Sequence, residues 1–282
     1  MNVVLVYNSG SGGHLGLRQL KKLFAEAHIE ISDAIRVESG FEKTLQPHIK
    51  KGTIIATVGG DGTLSNVANL LKDTNAILMP LPGGTLNHFT KDLGIPQKLP
   101  EALQYFASAK KVKIDIGQVD GKAFINNSSI GIYSDSLFER DEHEKKYGKW
   151  PAMIIATITA FIRYRTYRVE LNGKKYSTPL VFVGNNKYTL AGLAFTRSGF
   201  HDGVLSVYIV RGTSRLNLFL ALASLLRGRK NMPKKLKSFT TKEVAISTKR
   251  RLRVSRDGEY EKMPSPLRYT TQESSLWILH KP

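Results

Sequence analysis

The chain of 282 residues is predicted to be an α/β protein in two parts: a doubly wound, parallel α/β half, then a β-rich half built as a sandwich or barrel. Three observations carry this. Up to about residue 110, short apolar runs alternate with amphipathic helical patterns, which implies a parallel sheet covered on both faces. Beyond that point the hydrophobic period shortens to two, the mark of strands with one buried face. Asp-Gly and Asn-Gly pairs bound the later runs, where hairpin turns need positive φ.

In order, a strand over 3–7 precedes a helix over 15–27, a strand over 53–58 a helix over 64–72, and a strand over 77–81 helices over 88–93 and 99–109. In the second half Val112, Ile114 and Ile116 alternate with Lys113, Asp115 and Gly117. Tyr167, Val169 and Leu171 do the same, as do Leu205, Val207 and Ile209, and Leu252 with Val254. Hairpin turns are expected at Asp120-Gly121, Asn172-Gly173, Asp202-Gly203 and Asp257-Gly258. Helical patterns interrupt the strands around 150–163 and 215–226. No internal repeat or low-complexity linker appears. The expected division is a first domain over 1–112, with 267–282 packing back onto it, and a second over 113–266. A cleft between domains is then the default ligand site.

Composition excludes several classes. Hydrophobic residues make up 41%, too many for a disordered chain. With no Cys there is no disulfide scaffold, thiol nucleophile, Cys-ligated zinc or iron–sulfur cluster. The longest apolar stretches, 153–162 and 216–226, are about half the ~20 residues of a membrane span. Residues 1–8 lack a basic region and read as a strand, not a signal peptide, so the Asn-x-Ser matches at Asn126 and Asn127 carry no meaning. No His-Glu-x-x-His occurs and the serines form no nucleophile elbow.

Lys and Arg number 42 against 23 Asp and Glu, a net +19, so an anionic partner is expected. Residues 227–256 hold twelve Lys/Arg against one acid, Glu243, a net +11. This run follows an apolar helical pattern that includes Leu216, Phe219 and Leu222, an arrangement that sets a basic rim beside an apolar surface. Nucleic acid is disfavoured as a partner, because stacking aromatics are missing apart from Phe239.

The candidate site lies in three Gly-rich loops, each after an apolar strand and before a helix: Asn8-Ser9-Gly10-Ser11-Gly12-Gly13, Gly59-Gly60-Asp61-Gly62-Thr63 and Pro82-Gly83-Gly84-Thr85-Leu86-Asn87. Glycines let main-chain N–H groups converge on one anion, and the helix behind each loop adds partial positive charge. Three such loops at one sheet edge make a polyphosphate cradle. None fits the P-loop or the dinucleotide spacing. Asp61 is a carboxylate among these donors. It, or Thr63, is an ordinary helix N-cap before Leu64; alternatively Asp61 holds Mg²⁺ on a nucleotide's phosphates or takes a proton from the attacking group.

These segments, with Leu81-Pro82-Gly83-Gly84-Thr85-Leu86-Asn87-His88-Phe89, Asn126-Asn127-Ser128-Ser129-Ile130-Gly131, Val183-Gly184-Asn185-Asn186 and Asp257-Gly258-Glu259, resemble the diacylglycerol kinase catalytic-domain family. The likeness is to the bacterial soluble lipid kinases related to sphingosine and ceramide kinases, and it covers essentially the whole chain. It implies a phosphofructokinase- or NAD-kinase-like nucleotide-binding domain followed by a β-rich lipid-binding domain. It also implies that Asn8, Ser9, Gly10, Ser11, Gly12, Gly59, Gly60, Asp61, Gly62, Thr63, Gly84, Thr85 and Asn87 bind ATP with Mg²⁺. Ser39, after Ile35 and Val37, falls where the family often has a Thr touching the nucleotide. Glu259 falls on the family's general base; on its own residues it is an exposed hairpin Glu, set among Arg250, Arg251, Arg253 and Arg256, which favour its ionised form. Asp202 matches a structural Mg²⁺ position, although the preceding residue is His201, a poor Mg²⁺ ligand.

The expectation is thus an ATP-dependent lipid kinase with Asp61 and Glu259 as catalytic residues. Its partners are a lipid substrate and an anionic membrane surface, with a second copy of the chain a candidate and nucleic acid not expected. It is expected to be cytoplasmic, peripheral to the inner face of the membrane. Lipid-pocket walls are expected within 130–137, 150–161 and 190–195. The alternatives are an NAD kinase and a catalytically silent lipid- or membrane-binding regulator with the same fold.

Overall fold

The computed structural model describes residues 1–8, 15–132, 134–135, 166–171, 173–191, 194–210, 236–248 and 251–281. They divide into two compact units, Met1–Ile116 with Gln272–Pro282, and Gly117–Thr271.

In the first unit β1 (Asn2–Tyr7), β2 (Glu30–Arg36), β3 (Ile54–Gly59) and β4 (Ile77–Pro82) form a parallel sheet in the order β2-β1-β3-β4. Trp277 and Ile278 of the strand Leu267–His280 extend it, parallel to Ile77 and Leu78. The helices are α1 (Leu17–Glu26), α2 (Phe41–Leu45), α3 (Asp61–Leu71), α4 (His88–Asp92) and α5 (Leu99–Tyr105). The central strands are apolar throughout because both faces are covered: Val3, Val4, Leu5 and Val6 are buried, as are Leu78, Met79 and Leu81. α1 buries Leu20 and Phe24, one turn apart on one face, and α3 buries Leu64, Val67, Ala68 and Leu71. Each such Leu contributes about 1.5–3 kcal/mol by leaving water.

Two features depart from expectation. β2 carries no apolar strand pattern in the sequence, because it is an edge strand with only Ile35 fully buried and Glu30, Ser32, Asp33 and Arg36 exposed. α3 begins at Asp61, not Leu64. Gly60, in extended conformation, is its N-cap and no side chain caps the helix, so neither Asp61 nor Thr63 plays that part. Gly60 alone separates β3 from α3, and Asp61, Gly62 and Thr63 form the first helical turn.

The remaining strands are β5 (Lys110–Val119), β6 (Lys122–Phe124), β7 (Asn127–Gly131), β8 (Tyr167–Leu171), β9 (Lys174–Thr178), β10 (Leu180–Asn185), β11 (Tyr188–Ala191), β12 (Ala194–Arg197), β13 (Leu205–Val210), β14 (Leu236–Thr241), β15 (Glu243–Ser247), β16 (Leu252–Arg256), β17 (Glu259–Met263) and β18 (Leu267–His280). In the second unit an antiparallel sheet runs β14-β13-β10-β7-β16-β17. A second set pairs the start of β18 with β15, β15 with β8 and β8 with β9, again antiparallel. Side chains from both enclose one core, including Ile130, Val183, Val207 and Val254 from the first and Val169, Val244, Ile246 and Tyr269 from the second. This is a β-sandwich.

Asp120-Gly121 and Asp257-Gly258 are two-residue turns between Val119 and Lys122 and between Arg256 and Glu259, with φ positive at both residues of each pair. Asp202-Gly203 is not such a turn: β12 pairs with β11 and β13 with β10, so the two flanking strands are not partners. The helical patterns at 150–163 and 215–226 lie outside the described residues. Among the described residues no helix is long and apolar enough to cross a membrane.

Candidate active site

Parallel pairing brings the carboxyl ends of β1, β3 and β4 to one edge of the first unit's sheet, with Tyr7 opposite Val58 and Gly59 opposite Pro82. The segments leaving these strands are tied together by side chain and main chain. Asn8 Nδ2 donates to Thr63 Oγ1 at 3.2 Å, and the Asn8 N–H donates to the Val58 carbonyl at 3.1 Å. The Gly83 N–H donates to the Gly59 carbonyl at 3.0 Å. Both carboxylate oxygens of Asp61 accept main-chain bonds from the start of α4, from His88 N–H at 3.0 Å and Phe89 N–H at 2.9 Å. Asn87, in the left-handed region, closes its own loop with bonds to Gly84 in both directions, at 2.8 and 3.1 Å. Glycine is required where the loops touch: a Cβ on Gly84 would sit 2.5 Å from the Gly60 Cα, and one on Gly83 2.7 Å from the Gly59 nitrogen. Beside them a cavity of about 200 Å³ is lined by Tyr7, Asn8, Gly83, Gly84, Asn87 and Gln97, with apolar walls such as Leu20 and Leu99.

In the second unit another carboxylate collects main-chain donors. Asp257, 7% exposed, accepts from the N–H groups of Ile125 at 2.7 Å, Asn126 at 2.8 Å and Asn127 at 3.0 Å, and its own N–H returns a bond to the Asn127 carbonyl at 2.9 Å. The same loop is held from the far side. Asn185 donates from its amide to the Ile125 carbonyl and from its N–H to the Asn126 carbonyl, and Tyr188 donates its hydroxyl to the latter. Arg197 Nη2 reaches Asn126 Oδ1 at 2.7 Å while its guanidinium lies 4.6 Å from the ring centre of Phe200.

A model of the diacylglycerol kinase catalytic domain matches residues 2–119, and one of the YegS C-terminal NAD kinase beta sandwich-like domain matches 135–280, more than half of the chain. The chain belongs to the diacylglycerol kinase catalytic-domain family of the YegS type. One family relative, a Pseudomonas syringae pv. syringae (strain B728a) protein named probable lipid kinase YegS-like, is 30% identical over 64% of this chain; the chain spans 59% of that relative's length. A Bacillus subtilis (strain 168) protein named diacylglycerol kinase is 25% identical over 91% of this chain and 89% of its own. A crystal structure of a diacylglycerol kinase from Bacillus anthracis str. Sterne shares the fold at 20% identity, with a TM-score of 0.70 and coverage of 100% of this chain and 97% of that one.

Of the residues that the resemblance implied, Asn8, Gly59, Gly60, Asp61, Gly62, Thr63, Gly84, Thr85 and Asn87 gather at the strand ends of the first unit. Ser39 is exposed in the turn after β2, whose last residue Arg36 pairs with Tyr7. Ser9, Gly10, Ser11 and Gly12 lie outside the described residues, as do Arg250, most of the expected pocket walls and 227–235 of the basic run. Glu259 is exposed at the head of β17. Two of the neighbouring arginines have other carboxylates: Arg256 bonds Glu261 at 2.9 Å and Arg253 bonds Asp135 at 3.1 Å. Burial pushes the Glu261 carboxyl up, but its hydrogen bonds to Lys122 and Arg256 and their charges outweigh that and hold it below the usual range. Asp202 accepts the Lys187 N–H at 3.1 Å and has the Lys187 ammonium 3.6 Å away. Among the described residues no group of three or more His, Asp or Glu could hold a metal ion. The sequence reading missed Asp257, Asn126 and Arg197 as parts of one cluster. The signal available was the pair of Asn-Asn dipeptides, 126–127 and 185–186, which the fold brings together.

Proposed function

We propose that the protein is an ATP-dependent lipid kinase that transfers the γ-phosphoryl group to the hydroxyl of a diacylglycerol-like or sphingoid-like lipid. The observation that carries this is the locking of three strand-end segments, rich in main-chain donors, around a single carboxylate, Asp61. ATP is assigned to Asn8 and residues 9–12, Ser39, Gly59, Gly60, Gly62, Thr63, Gly84, Thr85 and Asn87. The loop segments 8–13, 59–63 and 82–87 contain no Lys or Arg, so phosphate is held there by N–H groups, helix ends and a metal. Mg²⁺ is ordinarily held by one or two carboxylates with substrate phosphates and water. Asp61 fits that donor set, since a carboxylate oxygen accepts more than one bond and capping α4 does not exhaust it. When bound there, Mg²⁺ supplies charge neutralisation at the phosphates.

Glu259 is assigned as the base. The lipid hydroxyl gives its proton to the Glu259 carboxylate while its oxygen bonds to the γ-phosphorus. The bond from that phosphorus to the β,γ-bridging oxygen breaks and ADP leaves with the electron pair. Exposure suits a residue that must meet a membrane-borne substrate. The net charge of +19 supports peripheral binding to an anionic membrane, at about 1 kcal/mol per well-placed base and screened by salt.

The test is labelled ATP with purified protein and a total lipid extract carried on anionic vesicles, with a parallel arm offering NAD. Label is expected in a lipid product, in amounts that fall as salt rises. Label on NAD would make the protein an NAD kinase; nucleotide binding without any labelled product would make it a silent regulator.

A further inference from the structure

We infer that Asp257 is a positioning residue for Glu259, an inference that rests on the assignment of Glu259 as the base. A two-residue hairpin turn with positive φ at both positions forms from Asp-Gly without help from the aspartate side chain, and in such a turn that side chain ordinarily points to water. Here the carboxylate turns inward. Three consecutive N–H groups, those of Ile125, Asn126 and Asn127, converge on it within 3.0 Å. Three converging main-chain donors make a seat for an anionic group, occupied here by the protein's own side chain.

The consequence falls on the next side chain along, that of Glu259. A carboxylate bonded to charged-group strength at three points fixes the turn of β16 and β17, and Glu259 is the first residue beyond it. The platform beneath is itself fixed. Gly184 pairs with Asn127 across β10 and β7, Asn185 bonds both Ile125 and Asn126, and Arg197 bonds the Asn126 side chain. An exposed base at the mouth of a hairpin otherwise swings with the turn, and a misplacement of about 1 Å at a reacting group costs on the order of a hundredfold in rate. Asp257 removes that freedom from the backbone while leaving the Glu259 side chain accessible.

The test is a double-mutant cycle with labelled ATP and the total lipid extract. Asp257→Asn keeps the shape but turns one acceptor into an NH₂ facing the N–H groups. Turnover is expected to fall about tenfold or more with the KM for ATP unchanged within about twofold. In the Glu259→Gln background the same change is expected to have little further effect, because a positioning residue has nothing left to position. Equal losses in both backgrounds, or undiminished turnover of Asp257→Asn, overturn the inference. Full activity of Glu259→Gln alone overturns the base assignment and this inference with it. Should Asp257→Asn fail to fold, Asn126→Ala loosens the platform from the Arg197 side while keeping every N–H bond to Asp257. It is expected to give a smaller fall in turnover with the same non-additivity, and additive losses there overturn the inference equally.

Discussion

Asp61 and Asp257 sit in different units, and each has both carboxylate oxygens on main-chain N–H groups. Asp61 collects two, from the opening of a five-residue helix, and remains partly exposed at the end of a sheet. Asp257 collects three, from a loop that Asn185, Tyr188 and Arg197 also hold, and is buried. The first carboxylate ties a glycine-bearing loop to the head of α3; the second fixes the turn that leads into Glu259. On the proposed reading, main-chain donors serve as the working surface in one unit and as scaffolding in the other.

Gly84→Ala breaks the first half of that comparison most severely. Its Cβ would meet the Gly60 Cα, main chain against main chain, so the loops must part. ATP affinity is expected to fall at least about tenfold and stability by about 1–3 kcal/mol, as for other overpacking changes, read by nucleotide titration and thermal melting. Wild-type affinity would show that the loops need not touch for the nucleotide to bind.

Asp61→Asn separates shaping from chemistry. The amide still accepts one N–H, but its nitrogen faces the other, leaving a donor unsatisfied at a cost of about 1–3 kcal/mol. Melting is therefore expected to drop by a few degrees while turnover falls by about a hundredfold or more, the scale of losing one electrostatic stabiliser of a transition state. A drop in melting with turnover intact would reduce Asp61 to the cap of α4.

Much of this contrast could be read from the sequence and part of it could not. The strands of the parallel sheet announce themselves as unbroken apolar runs, except β2, whose edge position leaves only Ile35 fully buried. The turns at 120–121 and 257–258 follow from Asp-Gly chemistry. Asp61 at the head of α3 was hidden because Gly62 is a poor helix former, which makes the helix seem to begin at Leu64. The inward turn of Asp257 was illegible for another reason: its partners lie about 130 residues away in the chain, and no local pattern encodes a bond of that span.

Glu261 gives the smallest effect and tests whether charge beside the turn matters as much as geometry. Its carboxyl is held below the ordinary range in the folded protein, so it contributes stability above its unfolded pKa and loses that contribution as pH falls through the folded value. Glu261→Gln is expected to lower stability at pH 7 by less than about 1 kcal/mol, as partly exposed pairs do, and the gap to wild type should close in acid. A gap that persists at pH 3 would assign the loss to packing.

Trp277 and Ile278 lie against Ile77 and Leu78, partners separated by two hundred positions, with the whole second unit inserted between them. Until that distant segment is made, β4 carries an open edge, the kind of surface on which nascent chains pair wrongly. Pairing at such range is also slow, since a long loop must close before any contact rewards it. The sheet that carries the glycine-rich loops is therefore timed by the chain's vectorial synthesis: its final strand arrives only after the insert has emerged.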